Sequence, residues 1–229
     1  MFRYRIAFCK DGPARWIGHL DLMRALERAF RRAGLPLCYS EGFNPRPKFV
    51  FALPLPVGVV GVKELVDIYL RVPVNPEAIT ARLSAVLPEG LSVRTVTRVP
   101  REAPNLMAAV GMASYRAEGH VAPTVTAEQV AAAVKAVLEA KEIMCTREGK
   151  GGPKERDIRP GIFMLEGSIT RDTLTIDMKV QAGQQGNIRP IDVVDAFLRL
   201  SGLPGNPHDY VYYHTGVFMI TDSRAVSLG

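Results

Sequence analysis

The chain has 229 residues, of which 47% are hydrophobic and 23% are charged, and its mean hydropathy is +0.05. This balance is typical of a globular protein, and the length allows one large domain or two small ones, each with its own core. No apolar run approaches the roughly 18 to 20 residues that a membrane helix requires. The first residues also lack the apolar core of a signal peptide, so we expect a cytoplasmic protein.

The basic residues are concentrated in the first half of the chain. Residues 1–101 contain 16 Lys and Arg against 8 Asp and Glu, a net charge of +8, whereas residues 102–229 contain 13 against 15. A basic surface attracts an acidic partner at long range, and that partner is most often nucleic acid.

The cysteines and histidines do not form a recognisable metal site. Cys9, Cys38 and Cys145 are an odd number at wide spacings, which argues against a disulfide framework, a zinc site and an iron–sulfur cluster. His208 and His214 flank an aromatic strand at a spacing that suits no common zinc pattern, so we interpret both as structural. We therefore expect no metal and no cofactor bound by this chain itself.

The first half predicts four strands and two helices. A long helix after Gly18 has apolar residues at three- and four-residue spacing, and Gly34 and Pro36 mark its end. A second helix begins after Asn75, where an N-cap residue precedes a proline. Strand patterns lie at residues 2–9, 49–55, 64–72 and 91–99. The order is β-α-β-β-α-β, which is the ferredoxin-like arrangement.

The second half predicts the same order again. Thr126 and Gln129 form a capping box for one helix, and Pro190 and Gly202 begin and end another. Strand patterns lie at residues 113–121, 161–169, 174–180 and 210–220. We therefore predict an α+β protein of two tandem ferredoxin-like units with antiparallel sheets, residues 1–101 and 102–229, with a mobile charged hairpin near 146–159.

The first long helix carries a row of arginines away from its apolar face. Arg24, Arg28 and Arg32 recur every four residues, and guanidinium groups bind phosphate oxygens in a planar, bidentate way. A solvated helix face paired with nearby acids is the alternative interpretation.

A stiff basic loop follows this helix. Pro45 and Pro47 restrict the backbone, so side chains on the loop lose little entropy when a ligand binds. Phe43 could stack on an unpaired base or anchor the loop in the core. The candidate binding residues of the loop are Phe43, Asn44, Arg46 and Lys48.

Two further segments carry weaker candidates. His19 and Asp21 at the start of the first helix could perform acid–base chemistry, although the helix dipole favours an acid there without catalysis. The charged segment 146–159 lacks the signature of a phosphate-binding P-loop, but its Lys154 and Arg159 could bind RNA on becoming ordered.

Three runs in this region, GHLDLMR (18–24), RAGLPL (32–37) and YSEGFNPRPK (39–48), resemble the signature of the radical-SAM-linked family, domain of unknown function 2344. The run KERDIRP (154–160) is a weaker match. In that family the domain is fused to, or encoded beside, a cobalamin-type radical SAM enzyme. The resemblance implies such a partner, which would carry an iron–sulfur cluster, S-adenosylmethionine and cobalamin, and it implies no activity for the domain itself.

Three hypotheses follow. In the first, the protein is an accessory domain that presents RNA or another anionic substrate to a separate radical SAM enzyme. In the second, it is a stand-alone RNA-processing or RNA-modifying enzyme that uses His19, Asp21 and Arg46. In the third, it is only a protein-binding module, with the arginine row docked on an acidic face of the radical SAM enzyme.

Overall fold

A computed structural model describes residues 1–147, 152–221 and 224–229 of the protein. It has a mixed α+β fold with a mostly antiparallel sheet and, in the described ranges, five α-helices. The residues group into two compact units, one formed by Met1–Gly111 with His214–Gly229 and the other by Met112–Tyr213. Each unit is described by itself below.

The helices and strands are numbered in chain order. The strands are β1 Phe2–Lys10, β2 Phe49–Phe51, β3 Val60–Leu70, β4 Leu91–Val99, β5 Met112–His120, β6 Met144–Arg147, β7 Lys154–Asp157, β8 Ile162–Thr170, β9 Thr173–Gln181, β10 Val211–Thr221 and β11 Arg224–Ser227. The helices are α1 His19–Arg32, α2 Pro76–Ser84, α3 Leu106–Ala109, α4 Ala127–Glu139 and α5 Pro190–Ser201.

The sheet of the first unit is built around β1, which pairs antiparallel with β3 on one side and β4 on the other. Strand β2 adds to β3. Every residue of β1 from Ile6 to Lys10 is buried, and the alternate residues Tyr4, Ile6 and Phe8 share a core cluster with the apolar face of α1. The core residues that make this contact are Tyr4, Ile6, Phe8, Leu22, Leu26 and Phe30.

The boundaries of the first-unit elements follow from local sequence. Gly34 has a φ of 62°, so it supplies the left-handed residue that ends α1. The Asn75 side chain accepts a hydrogen bond from the Glu77 amide and caps α2. Strand β2 ends at Phe51, short of the predicted residue 55, because the prolines at 54 and 56 cannot donate to a sheet.

The predicted elements of the second unit are also present. Thr126 and Gln129 form the reciprocal hydrogen bonds of a capping box at α4. Strands β8 and β9 form a hairpin whose turn contains Arg171, with a φ of 58°, and Gly202 ends α5 with a φ of 67°. In the charged segment 146–159, β6 pairs with β7. Residues 148–151, at the centre of the predicted mobile hairpin, lie outside the described residues.

The grouping of residues differs from the predicted division at 101/102. The first unit extends to Gly111 and includes the end of the chain from His214. Hydrogen bonds explain this grouping, since Gly111 N–H donates to the Phe218 carbonyl at 3.0 Å and the Arg5 guanidinium donates to the Leu228 carbonyl at 2.5 Å. Contacts of such sequence separation have no signature in local periodicity. In the described ranges, no helix is both long and apolar enough to cross a membrane.

Candidate functional site

Helix α1 and the loop of residues 42–48, called the proline loop below, together form a basic cleft on the first unit. The cleft has a volume of about 380 Å³ and lies between one exposed face of the helix and the tip of the loop. Its lining residues are Arg24, Glu27, Arg31, Asn44, Pro45 and Arg46. Two predicted binding residues of the loop, Asn44 and Arg46, thus share one cleft with the predicted Arg24, and Arg31 joins them.

The loop is held in place by its own backbone. Ser40 N–H donates to the Arg46 carbonyl at 2.8 Å, and Arg46 N–H donates to the Ser40 hydroxyl at 3.0 Å. Lys48 N–H donates to the Cys38 carbonyl at 2.8 Å, and Gly42 takes a φ of 111° at the bend. Because these bonds close the base of the loop, its tip is presented in a defined position.

The aromatic residue at the loop tip is not an anchor into the core. Phe43 is 105% exposed, the full accessibility of a free side chain. The buried residue of the loop is Pro47 instead, which forms a bridge with Tyr39. A fully exposed Phe beside a basic cleft is unusual, since burial of a Phe side chain contributes about 1.5 to 3 kcal/mol.

In the described residues the ion pairs of the cleft arginines are local, and the pair of Arg24 is exposed, whereas Glu27, the partner of Arg31, is 22% exposed. Arg24 contacts Asp21 at 3.2 Å, with both side chains more than 60% exposed, and Arg31 contacts Glu27 at 2.7 Å. Pairs of this kind contribute roughly 0 to 1 kcal/mol, so an incoming anion can replace the carboxylates at little cost. In the described part of the chain, Arg46 has no carboxylate within ion-pair distance.

The remaining predicted cations have different surroundings. Arg28 and Lys48 are exposed. Arg32 donates to the Val86 carbonyl near the end of α2, so its guanidinium helps to hold two helices together. Arg159 is in the second unit and donates to the carbonyls of Leu138 and Ile162, which gives it a structural role.

Lys154 is also in the second unit, exposed on β7. Of the predicted cations, Arg32 and Arg159 are therefore hydrogen-bonded to backbone carbonyls within the fold.

His19 and Asp21 point to different environments. Asp21 is exposed and pairs with Arg24, which fits the dipole interpretation of an acid in a first turn. The His19 ring lies 5.0 Å from the Phe51 ring, and its Nδ1 atom is buried with no hydrogen-bond partner in the described residues. Burial and the nearby Lys10 charge lower the pKa of His19 below its ordinary value.

Sequence reasoning missed a buried set of ionisable groups, one of which, Lys10, acts on the charge of His19. Lys10 is 0% exposed and donates to the Arg15 carbonyl at 3.2 Å, and Glu64 is 4% exposed. Glu64 Oε1 lies 2.5 Å from Nδ1 of the buried His214. Burial lowers the pKa of Lys10, and the Glu64 charge opposes that shift.

A signal for part of this set was present in the sequence. Lys10 follows Phe8 by two residues in β1, so the alternation of the strand directs it inward. Glu64 is the register partner of Phe8 on β3 and shares that inward side. The contact with His214 is separated by 150 residues and could not be read from either pattern.

Metal binding receives no support from the described residues, which contain no group of three or more His, Cys, Asp or Glu able to hold an ion. The three cysteines are free, with Cys9 and Cys145 buried. Burial raises the pKa of the Cys145 thiol, which favours the unreactive protonated form.

Fold and site together define an α+β protein with an exposed basic cleft on its first unit. Residues 3–190 match the model of a family described as an uncharacterized protein conserved in bacteria, DUF2344. The chain belongs to this family, and the description does not link it to radical SAM enzymes. No curated protein matches the chain.

Several solved structures are distantly similar. A chain of a Cbf5-Nop10-Gar1 complex is 13% identical with a TM-score of 0.49, and the match covers 93% of this chain and 48% of that one, so this chain spans about half its length. An unknown protein from Galdieria sulphuraria is 13% identical, with a TM-score of 0.27 and coverage of 88% and 92%. A putative glycine cleavage system transcriptional repressor is 10% identical, with a TM-score of 0.22 and coverage of 93% and 98%.

Proposed function

We propose that this protein is a cytoplasmic accessory protein that holds an anionic substrate, structured RNA, for a separate radical SAM enzyme. The observation that carries the RNA-binding part is the convergence of Arg24, Arg31 and Arg46 on one exposed cleft beside the exposed Phe43. The radical SAM part rests on the resemblance of residues 18–48 to the radical-SAM-linked family.

The cleft has the chemistry that phosphate groups require. Three guanidinium groups offer planar pairs of N–H donors, and the Asn44 amide adds a neutral donor and acceptor. Contacts to the backbone phosphates of RNA provide affinity and fix the position of the RNA on such a site, but they do not depend on the RNA sequence. Phe43 supplies the other element of RNA recognition, an aromatic face on which an unpaired base stacks.

Two proteins would act together in this role. The radical SAM enzyme would carry the iron–sulfur cluster, S-adenosylmethionine and cobalamin, whereas this chain would position the substrate. We further infer a twin ferredoxin-like architecture. In the first unit it is supported by the strand order β4-β1-β3 with β2 on β3. In the second it is supported by the element order β5, α4, β8, β9, α5, to which residues 211–213 of β10 are added.

RNA binding is tested by mobility shift with transfer RNA and ribosomal RNA at 50 and 200 mM salt. We expect the double variant Arg24→Ala/Arg46→Ala to weaken binding and to lower the slope of log affinity against log salt by about one for each phosphate that it no longer binds. The control is Arg82→Ala/Arg199→Ala, which removes two exposed arginines on α2 and α5 with the same change of net charge. Equal effects of the two double variants, or no salt-sensitive binding by the wild type, would refute the RNA-binding proposal.

The partner is tested by affinity purification of the tagged chain from a nuclease-treated lysate. Recovery of a radical SAM enzyme after nuclease treatment indicates direct contact between the proteins. Recovery only from the untreated lysate indicates that RNA joins them, and recovery from neither lysate refutes the accessory role.

An enzyme acting on RNA is a second candidate, favoured by the buried Lys10, whose charge acts on His19, and by the Nδ1 atom of His19, which has no hydrogen-bond partner in the described residues. Burial lowers the pKa of Lys10 and of His19, and groups with such shifts are frequent in sites of acid–base chemistry. Incubation of the purified protein with total RNA, followed by nucleoside analysis and gel electrophoresis, detects modification or cleavage. An activity that His19→Ala leaves intact would exclude a catalytic role for His19.

A further inference from the structure

A second cleft lies at one end of the first-unit sheet, where β1 begins and where β3 and β4 end. Its volume is about 680 Å³, within the range of roughly 300 to 1,000 Å³ that is common for small-ligand sites. The side chains that matter for its chemistry are Phe2, Arg3, Tyr69, Arg98 and Arg101. Two exposed guanidinium groups and two aromatic rings therefore line the same cavity.

Arg3 forms a fixed wall of this cleft. Its guanidinium donates to the carbonyls of Pro100, Ala103 and Pro104 at 3.0, 2.7 and 3.1 Å. These bonds tie down the segment after β4 and so fix the backbone that carries Arg101. The position of Arg101 is thus set before any ligand arrives, which reduces the entropy cost of binding.

Arg98 and Arg101 provide uncommitted positive charge. The Arg98 guanidinium lies 5.1 Å from the centroid of the Phe2 ring, a cation–π contact that orients its plane while its edge N–H groups stay available. Both arginines are exposed, and neither has a carboxylate within ion-pair distance in the described ranges. An anion that enters the cleft therefore meets two donors without displacing an acid.

Tyr69 provides an aromatic face between cations. It is half-buried, it is the register partner of Arg3, and its N–H donates to the Lys48 carbonyl at 3.2 Å. Phe49 pairs with Ile68 in the same ladder, so Lys48 and Tyr69 are neighbours on adjacent strands. Lys48 belongs to the proline loop, and the backbone hydrogen bond from Tyr69 places it beside that residue.

We propose that this second cleft binds one unpaired nucleotide, with the base against Tyr69 and the phosphate between Arg98 and Arg101. The inference rests on the proposed function in identifying that nucleotide as part of the RNA substrate. A free nucleoside monophosphate has the same base and phosphate, and the experiment separates the two sources. Bases stack on aromatic rings irrespective of sequence, so the site would accept any of the four nucleotides.

The test is isothermal titration of the full-length protein with AMP, adenosine, ribose 5-phosphate and an A5 RNA pentamer. We expect AMP to bind and both fragments, adenosine and ribose 5-phosphate, to bind at least about tenfold more weakly, because each lacks one half of the recognised chemistry. Pentamer binding much tighter than AMP binding identifies an RNA segment as the source, whereas equal affinities identify the free nucleotide.

Variants locate the binding. Tyr69→Ala should weaken AMP and pentamer binding by roughly tenfold, and Tyr69→Phe should retain it because the stacking surface is kept. Arg101→Ala should weaken AMP binding but leave adenosine binding unchanged, with Arg82→Ala on α2 as the control. Because Tyr69→Ala removes a half-buried ring, its thermal unfolding is compared with that of the wild type, and Arg101→Ala tests the site independently of folding.

The two proposals fail separately. The second cleft is not a nucleotide site if AMP and the pentamer do not bind, or if they bind to the wild type and to Arg101→Ala with equal affinity. This conclusion stands even if transfer RNA binding is found to depend on Arg24 and Arg46. If AMP binding depends on Tyr69 and Arg101 while Arg24→Ala/Arg46→Ala leaves transfer RNA binding unchanged, the proposed role of the α1 cleft is overturned and the nucleotide site stands.

Discussion

Removal of the negative charge of Glu64 should destabilise the first unit more than any change at a surface ion pair. Glu64 is 4% exposed and contacts the buried His214 at 2.5 Å, and its charge also favours the protonated form of Lys10, which is 0% exposed. Removal of one partner from a buried ionic group typically costs about 3 to 5 kcal/mol, because the other charge is left uncompensated. We therefore expect Glu64→Gln to lower the free energy of unfolding by about 3 kcal/mol.

The assay is urea denaturation followed by fluorescence of Trp16, the single tryptophan, which lies in the first unit. The matched control is Asp177→Asn, which breaks the largely exposed Arg116–Asp177 pair of the second unit and should cost about 1 kcal/mol or less in a calorimetric scan.

A second variant separates uncompensated charge from simple loss of packing. Lys10→Met in the Glu64→Gln background removes the buried cation and should recover a large part of the lost stability. If Glu64→Gln costs no more than Asp177→Asn, or if Lys10→Met makes the double variant less stable still, the account of Glu64 as the compensating charge is wrong.

Three further predictions concern stability. Burial lowers the pKa of His19 from 6.5, so the unfolded chain binds the proton at a higher pH than the folded chain does. Wild-type stability should therefore fall as the pH drops below about 6.5. His19→Gln should reduce that loss, as measured by denaturant titrations at pH 7 and 5. Thr126→Ala removes the capping box of α4 and should lower the free energy of unfolding of the second unit by about 1 kcal/mol in calorimetry, whereas Thr124→Ala, two residues earlier, should be nearly neutral. Arg159→Met leaves the Leu138 carbonyl without its donor and should cost roughly 1 to 3 kcal/mol, with unchanged stability contradicting the structural role of Arg159.

Local chemistry allowed most helices and strands to be predicted. The N-cap Asn75, the capping box at Thr126 and the stop at Gly202 each act within four residues, and all three are present in the structure. Strand β4 has the predicted bounds, Leu91–Val99, although its pairing with β1 shifts register between Val93 and Thr95. Elements that depend on neighbours were less accurate, as β3 begins at Val60, four residues before the predicted start.

The candidate site was predicted only where it is local. The proline loop and the first turns of α1 lie about 20 residues apart and form one cleft, so Arg24, Asn44 and Arg46 could be selected from sequence. The second cleft joins the ends of three strands at residues 2, 69 and 98, and no local pattern brings these together. Its recognition needed the strand register, which is a property of the folded sheet.

The net charge of the first half is a poor measure of the charge that a ligand meets. Arg5 is paired with the buried Asp67 at 2.8 Å, Lys10 is fully buried, and Arg94 donates to the thiol sulfur of Cys9. Arg5 and Lys10 are used inside the fold and add little to the surface field, whereas Arg94 is exposed but hydrogen-bonded. The cations that remain exposed and belong to the two clefts or to the proline loop are Arg24, Arg31, Arg46, Lys48, Arg98 and Arg101.

The exposed cations of the two clefts and of the proline loop are those that an extended anion can contact. Arg46 and Lys48 are two residues apart on the loop, and Lys48 is adjacent to Tyr69 in the sheet. Each cleft also has an exposed or half-buried aromatic residue near its cations, Phe43 for the α1 cleft and Tyr69 for the second cleft. Because cationic and aromatic contacts together suit a single-stranded polynucleotide better than a compact anion, we expect charge removal at the exposed Lys48 to weaken RNA binding in the mobility-shift assay, and an unchanged affinity would show that the strand does not pass Lys48.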